Sequence, residues 1–261
     1  MSDIHPSLAD FKDLFSKQSK EYAASRPTYP RALFEFLAVL VGRRELAWDC
    51  ATGNGQAAAL LAGYFKQVVA SDASKKQIEN ARAGPNVRFA VFPAEKPDLA
   101  DNSVDLITVA QALHWFRFDD FYREVRRVAR KDAVIAAWTY GLHSVSPEVD
   151  KVTQTFYKDI VGRYWPPEVR YVENRYENIP FPFPQVETPD LKIELEWDMQ
   201  NLVGYLYSWS STQKYIEENK SDPVKMIYPE LEAAWGKENA QRKVTWPIYM
   251  KAGRLWGERG R

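Results

Sequence analysis

Five short, nearly unbroken apolar runs punctuate the first part of the chain: ELAWDCA (45–51), QVVASD (67–72), VRFAVF (87–92), VDLITVAQA (104–112) and AVIAAWTY (133–140). They are rich in β-branched residues and do not alternate with polar ones. Strands covered on both faces of a parallel sheet read this way. Between them, residues 55–65, 74–83 and 119–130 carry helical periodicity. Strand and helix in series predict a doubly wound α/β sheet. Residues 88–103 hold no helix of their own, and AEKPDLADNS is loop chemistry. YREVRRVARK (122–131) places Tyr122, Val125, Val128 and Ala129 at helical spacing among charges, which predicts an amphipathic helix with a solvated basic face.

On either side of this alternation the pattern changes. Residues 8–25 predict a helix that ends before Pro27. RPTYP (26–30) is a rigid connector, and Pro30 suits the start of the next helix, RALFEFLAVLV. Beyond 141, residues 147–163 read as a helix and 165–184 as a proline-rich, aromatic, packed surface segment. LKIELEWDM (191–199) alternates as a strand. Residues 201–219 have helical character despite Gly204, and DPVKMIYPELEAAWGKE continues helically. RKVTWPIYMKAGRL (242–255) is a last strand. Pro247 lies inside it and predicts an edge position or a bulge, because proline removes a ladder donor. No second independent core is legible. The chain divides into an arm (1–30), a core (31–141) and a C-terminal part (142–261) that completes the sheet, all one domain.

Composition narrows the classes. Of 261 residues, 45% are hydrophobic and 27% charged, enough for a sizeable core. Acidic and basic residues balance at 35 each, so no global field favours nucleic acid or an anionic membrane. The single cysteine, Cys50, permits no internal disulfide and fits a reducing, cytoplasmic setting as a buried small hydrophobe. MSDIHPSLADF has no signal-peptide pattern, and no apolar run approaches a membrane span. His5 and His143 have no metal-ligand spacing with Cys50, so no metal is expected.

The candidate chemistry centres on DCATGNGQAAALL (49–61). Gly53 and Gly55, flanking Asn54, let backbone approach a ligand without Cβ contact, and the following helix points its first amides at the same place. Asp72 ends the next strand, where a carboxylate accepts two hydrogen bonds from a ribose diol. An adenosine-type nucleoside fits that pair. GNGQAA also matches the dinucleotide fingerprint GxGxxA. Asp49, at the strand end, would repel a pyrophosphate and suit a cationic amine.

DCATGNG resembles the first motif of class I S-adenosylmethionine-dependent methyltransferases, and ASDAS (70–74) looks like the second. FPAEKPDLADNSVDLITVAQALHWF (92–116) and the lead SKQSKEYAASRPTYP (16–30) are similar to the UbiE/trans-aconitate methyltransferase-like group. The likeness covers residues 11–140 well and the tail, with SWSSTQKY, more loosely. Cys50-Ala51-Thr52 departs from the commoner DxGCGxG form. The resemblance implies a Rossmann-like, seven-stranded, mostly parallel sheet with an antiparallel last strand, and S-adenosylmethionine as cofactor with S-adenosylhomocysteine as product. It implies that Asp49, Gly53, Asn54 and Gly55 hold the methionine end, that Arg26 pairs with its carboxylate, and that Tyr22 covers it. Asp72 would take the ribose hydroxyls, with Ala73 on the adenine face. Ala94 and Glu95 would sit at the adenine edge, and Gln111 and Ala112 would close over the cofactor.

His114 and Trp115 follow strand four at the carboxyl edge of the sheet, where ligands bind. His114 is the candidate catalytic group, as base or hydrogen-bond donor. Trp115, Tyr29, Tyr205 and Trp209 are candidate walls of the acceptor pocket. The expected partner is a small-molecule methyl acceptor that presents a carboxylate or other oxygen, with neither nucleic acid nor membrane, in a monomer or homodimer. An NAD-dependent oxidoreductase and a non-catalytic S-adenosylmethionine-binding protein are the rival readings.

Overall fold

The computed structural model describes residues 26–255. The helix expected over 8–25, and Tyr22 with it, lie outside the described residues. Helix α1 (Arg31–Leu40) follows Pro30 and buries Leu33, Phe34, Leu37 and Ala38. Then come β1 (Leu46–Cys50), α2 (Gln56–Leu61), β2 (Gln67–Asp72), α3 (Lys75–Asn80), β3 (Val87–Val91), β4 (Val104–Ala110), α4 (Phe118–Val128) and β5 (Ala129–Tyr140). The strands and helices fall where the hydrophobic runs and periodicity put them, although α2 and α3 are shorter than their patterns. Ser74 stops β2 from running on and starts α3, its hydroxyl accepting from the Gln77 amide.

The sheet has seven strands in the order β3-β2-β1-β4-β5-β7-β6, where β6 is Leu191–Trp197 and β7 is Arg242–Arg254. Strands β1 to β5 pair in parallel, and β7 runs antiparallel to both its neighbours. The strand order reverses between β1 and β4, the topological switch point at which open α/β sheets bind ligands. Two apolar layers cover the faces. One gathers Leu33, Phe34, Leu61, Trp138 and Trp246; the other Trp48, Ile107, Phe121, Val125 and Tyr176. Strand β5 shows why: Val134, Ala136 and Trp138 join the first layer, while Ala133, Ile135 and Ala137 join the second.

Helix α4 buries Phe121, Tyr122, Val125 and Val128. Its arginines are engaged at the surface, Arg123 with Asp120 and Arg127 with Glu124 and Asp101. That is the solvated basic face read from the pattern, although the helix ends at Val128, and Ala129, Arg130 and Lys131 open β5. Among the described residues no helix is long and apolar enough to cross a membrane.

Three expectations need correction. Pro247 is neither at an edge nor in a bulge: β7 lies between β5 and β6, and its register against β6 is unbroken. The amide and carbonyl of one strand residue point the same way, and the Pro247 carbonyl accepts from Gly141, just past the end of β5. The missing donor therefore faces a loop, not β6. The helix expected over 201–219 is two helices, α7 (Met199–Tyr207) and α8 (Ser210–Asn219), which follow α5 (Pro147–Thr155) and α6 (Val169–Glu173) in the chain. At the break Trp209 is extended, with φ −74° and ψ 135°, and the Ser208 hydroxyl turns back onto the Tyr205 carbonyl. Serine competes with helix continuation in this way. The helix expected over 147–163 likewise stops at α5 and continues as a π turn (Phe156–Ile160) and a 3-10 turn (Gly162–Tyr164). Helix α9 (Pro223–Trp235) closes the helical cover.

Candidate functional site

Strand β1 ends in a tight backbone reversal. Ala51, Gly53 and Gly55 all have positive φ, at 56°, 57° and 89°. At Gly55 a Cβ would lie 3.0 Å from the Phe89 ring, so only glycine fits both the conformation and the space. At Gly53 a Cβ would meet nothing within 4 Å, which leaves the outer side of the turn open. The Gly53 amide donates to Asp72 Oδ2 at 2.9 Å, and the Ser74 amide donates to Asp72 Oδ1 at 2.8 Å. The acid at the tip of β2 and the turn at the tip of β1 thus form one rigid unit.

Asp49 lies behind that unit and is fully enclosed. Its carboxylate accepts from the Thr52 hydroxyl at 2.5 Å and the Thr108 hydroxyl at 2.9 Å, tying the turn to β4. Burial pushes its pKa up to about 6, against the opposing pull of Thr52, Thr108 and the Ala58 amide.

At the tip of β4 the chain turns sharply through Gln111, with φ 55°. The Gln111 amide donates to the Trp138 carbonyl, and the Thr139 hydroxyl donates to Gln111 Oε1. Ala112, which follows it, and Ala94 are both buried in the second apolar layer. A 3-10 turn (Leu113–Trp115) follows, carrying His114 with the Trp115 ring 4.8 Å away. His114 Nδ1 is 2.8 Å from the Tyr176 hydroxyl. Burial lowers the His114 pKa to about 3, so the imidazole is neutral. Glu95 Oε1 accepts from the Arg117 amide at 3.0 Å, which fixes the loop after β3 to the start of α4.

The other face of the same strand tips holds the second group. Arg26 donates to the Tyr140 hydroxyl and to the Ser208 carbonyl, both at 3.3 Å. Tyr29 stands edge-on to Trp138, with ring centroids 5.5 Å apart. The Tyr205 hydroxyl accepts from Trp246 Nε1 at 3.3 Å. Trp209 packs among Tyr205, His143, Phe156, Tyr157 and Trp165. Tyr205 and Trp209 are buried in the core, and it is the carbonyl of Ser208, between them in the chain, that Arg26 reaches.

The structure therefore gathers Asp49, Gly53, Gly55, Asp72, Gln111, His114 and Arg26 around the carboxyl ends of β1, β2, β4 and β5. Sequence reasoning missed Tyr140 and Tyr176. Tyr140 could have been found as the last residue of its strand. Tyr176 carries no local signal; it arrives from the aromatic 165–184 segment, where Arg175 and Tyr176 both have positive φ.

These residues fit a nucleoside rather than a pyrophosphate. The acid on β2 suits a ribose diol, the turn has open space in front of Gly53, and residues 49–56 include no basic side chain. Residues 48–137 match the family model of the methyltransferase domain. A Dictyostelium discoideum protein named as a methyltransferase is 34% identical over 257 residues, which covers 96% of this chain and 98% of that protein. This chain belongs to the methyltransferase family. Like its class I members, the methyltransferase uses S-adenosylmethionine. A solved Anaeromyxobacter dehalogenans protein, named as a type II methyltransferase, is 46% identical, with a TM-score of 0.84 over 89% of this chain and 99% of that one. A Saccharomyces cerevisiae protein bearing the name of an S-adenosylmethionine-dependent methyltransferase is 29% identical, over 56% of this chain and 55% of that protein.

Proposed function

We propose that this methyltransferase methylates a carboxylate oxygen of a small organic acid. When bound, S-adenosylmethionine would supply a methyl group on a sulfonium, its carbon open to a nucleophile with the thioether sulfur leaving with the C–S electron pair. The chain's part is to align the two reactants and keep water away. Asp72 holds the ribose hydroxyls, with Ala73, Ala94 and Glu95 around the adenine. The backbone of Gly53, Asn54 and Gly55 receives the methionine end, and Arg26 pairs with its carboxylate. Asp49 acts from behind, fixing the turn and adding negative potential near the ammonium. Gln111 and Ala112 wall the centre. His114, Trp115, Tyr29 and Tyr205 face the acceptor, and Trp209 backs them.

The observation that carries the carboxylate reading is His114. It is the titratable side chain at the tip of β4, its Nδ1 is held 2.8 Å from the Tyr176 hydroxyl, and burial lowers its pKa to about 3. A ring so held is a poor general base for an alcohol or an ammonium. A carboxylate is already ionised and needs no base.

Calorimetric titration with S-adenosylmethionine, S-adenosylhomocysteine and NAD tests the cofactor assignment, with Asp72→Ala as control. Wild-type protein binds the first two, and the variant binds at least tenfold more weakly, since it loses hydrogen bonds to a charged acceptor worth about 1.5–3 kcal/mol each. Release of S-adenosylhomocysteine in the presence of small carboxylic acids, amines and phenols tests the acceptor class. Turnover confined to amines or phenols sinks the carboxylate reading.

A further inference from the structure

We propose that Tyr176 fixes His114 in its Nε2-protonated form, so that the imidazole gives a hydrogen bond to the acceptor oxygen instead of receiving a proton from it. The inference rests on the proposed function and concerns how the same site handles its acceptor.

The direction of this hydrogen bond follows from the strengths of its two partners. The Tyr176 hydroxyl and His114 Nδ1 lie 2.8 Å apart, and one of them must donate. Between a neutral phenol and a neutral imidazole, the phenol O–H is the more acidic donor and the bare ring nitrogen the more basic acceptor. The Tyr176 proton therefore goes to Nδ1, and the neutral ring carries its hydrogen on Nε2.

Burial agrees with this arrangement. It holds the phenol of Tyr176 well above its ordinary pKa, so the proton stays available to Nδ1. Among the described residues Nε2 has no partner, yet it is not enclosed; both nitrogens of His143, by contrast, are sealed among aromatic rings. An unsealed N–H at the tip of β4 suits an acceptor that presents lone pairs, and a carboxylate is such an acceptor. Tyr176 is a positioning residue here, and its conformation is set by the packed 165–184 segment rather than by the strand that carries His114.

The test reads the tautomer directly. The chain has three histidines, so long-range ¹H–¹⁵N correlation spectra of the ¹⁵N-histidine-labelled full chain are simple, and His114→Gln identifies the His114 signals by their loss. The expected spectrum is that of an Nε2-protonated, non-titrating ring across the neutral range, shifting toward mixed tautomers in Tyr176→Phe. An Nδ1-protonated ring, or one that titrates near neutrality, overturns the proposal. Turnover on the carboxylic acid panel gives the second readout. Glutamine places an N–H near Nε2 and asparagine near Nδ1, so His114→Gln retains activity within about tenfold while His114→Asn loses about 100- to 1,000-fold, the loss expected for one preorganised donor. Asparagine outperforming glutamine overturns the proposal as well. Failure of the wild-type protein to bind S-adenosylmethionine would remove the functional reading and leave the tautomer result standing.

Discussion

Gly55 and Asp49 show how much of the site rests on single residues. At Gly55 a methyl group meets the Phe89 ring, and left-handed backbone costs a non-glycine residue about 1–2 kcal/mol. Gly55→Ala is expected to lower the thermal midpoint by about 2–4 °C for each kcal/mol lost, measured by circular dichroism. Asp49 links the site to pH. Its pKa is about 6 in the folded protein and about 3.9 in an unfolded chain. The folded state therefore holds the extra proton between those values, and stability falls as pH rises through that window, by a few kcal/mol at most. Asp49→Asn keeps an acceptor oxygen for the threonine hydroxyls but cannot ionise. The buried, neutral His114 and His143 add an opposite pH dependence that wild type and variant share, so the reading is the difference between the two: urea unfolding should show the wild type losing stability relative to Asp49→Asn as pH rises from about 4 to about 6, and a difference that does not change with pH would refute the assignment.

Elements differ in how far the sequence announced them. The five parallel strands and α4 follow from local patterns, since each buries its own apolar residues against the sheet. The glycine turn, Asp72 and His114 were legible for the same reason: turn chemistry and strand ends are local. The rest depends on distant partners. The split between α7 and α8 comes from one serine hydroxyl turning back on its helix, within a sequence whose periodicity continues. Tyr176 reaches His114 because residues 181–186 lie along β7, where Gly253 allows the approach. A Cβ at Gly253 would sit 2.9 Å from the Pro184 carbonyl oxygen and 3.0 Å from Phe181 and Phe183. Gly253→Ala is therefore expected to cost about 1–3 kcal/mol by overpacking, and to perturb His114 signals some distance away. Chemical denaturation and the same histidine spectra check both effects. No periodicity in 165–184 encodes that contact, so sequence reading could not supply it.

At the scale of the whole molecule, the sheet is graded in protection. Strands β4 and β5 have a partner on each side and apolar layers on both faces, whereas β3 is an edge strand with Val91 half exposed. Native-state hydrogen exchange should open β3 well before β4 and β5, because opening free energies fall toward unsupported edges. Equal protection across the sheet would contradict that grading. The position of β7 has a different consequence. It comes last among the strands in the chain yet lies inside the sheet, between β5 and β6. While the polypeptide is being made, β5 stays open on its outer side and β6 has no neighbour until residues 242–254 leave the ribosome. For that interval two bare strand edges are offered to any other nascent chain. The enzyme's yield in a cell should then depend on elongation speed through α7, α8 and α9 and on chaperone supply, even for variants whose finished fold is unchanged.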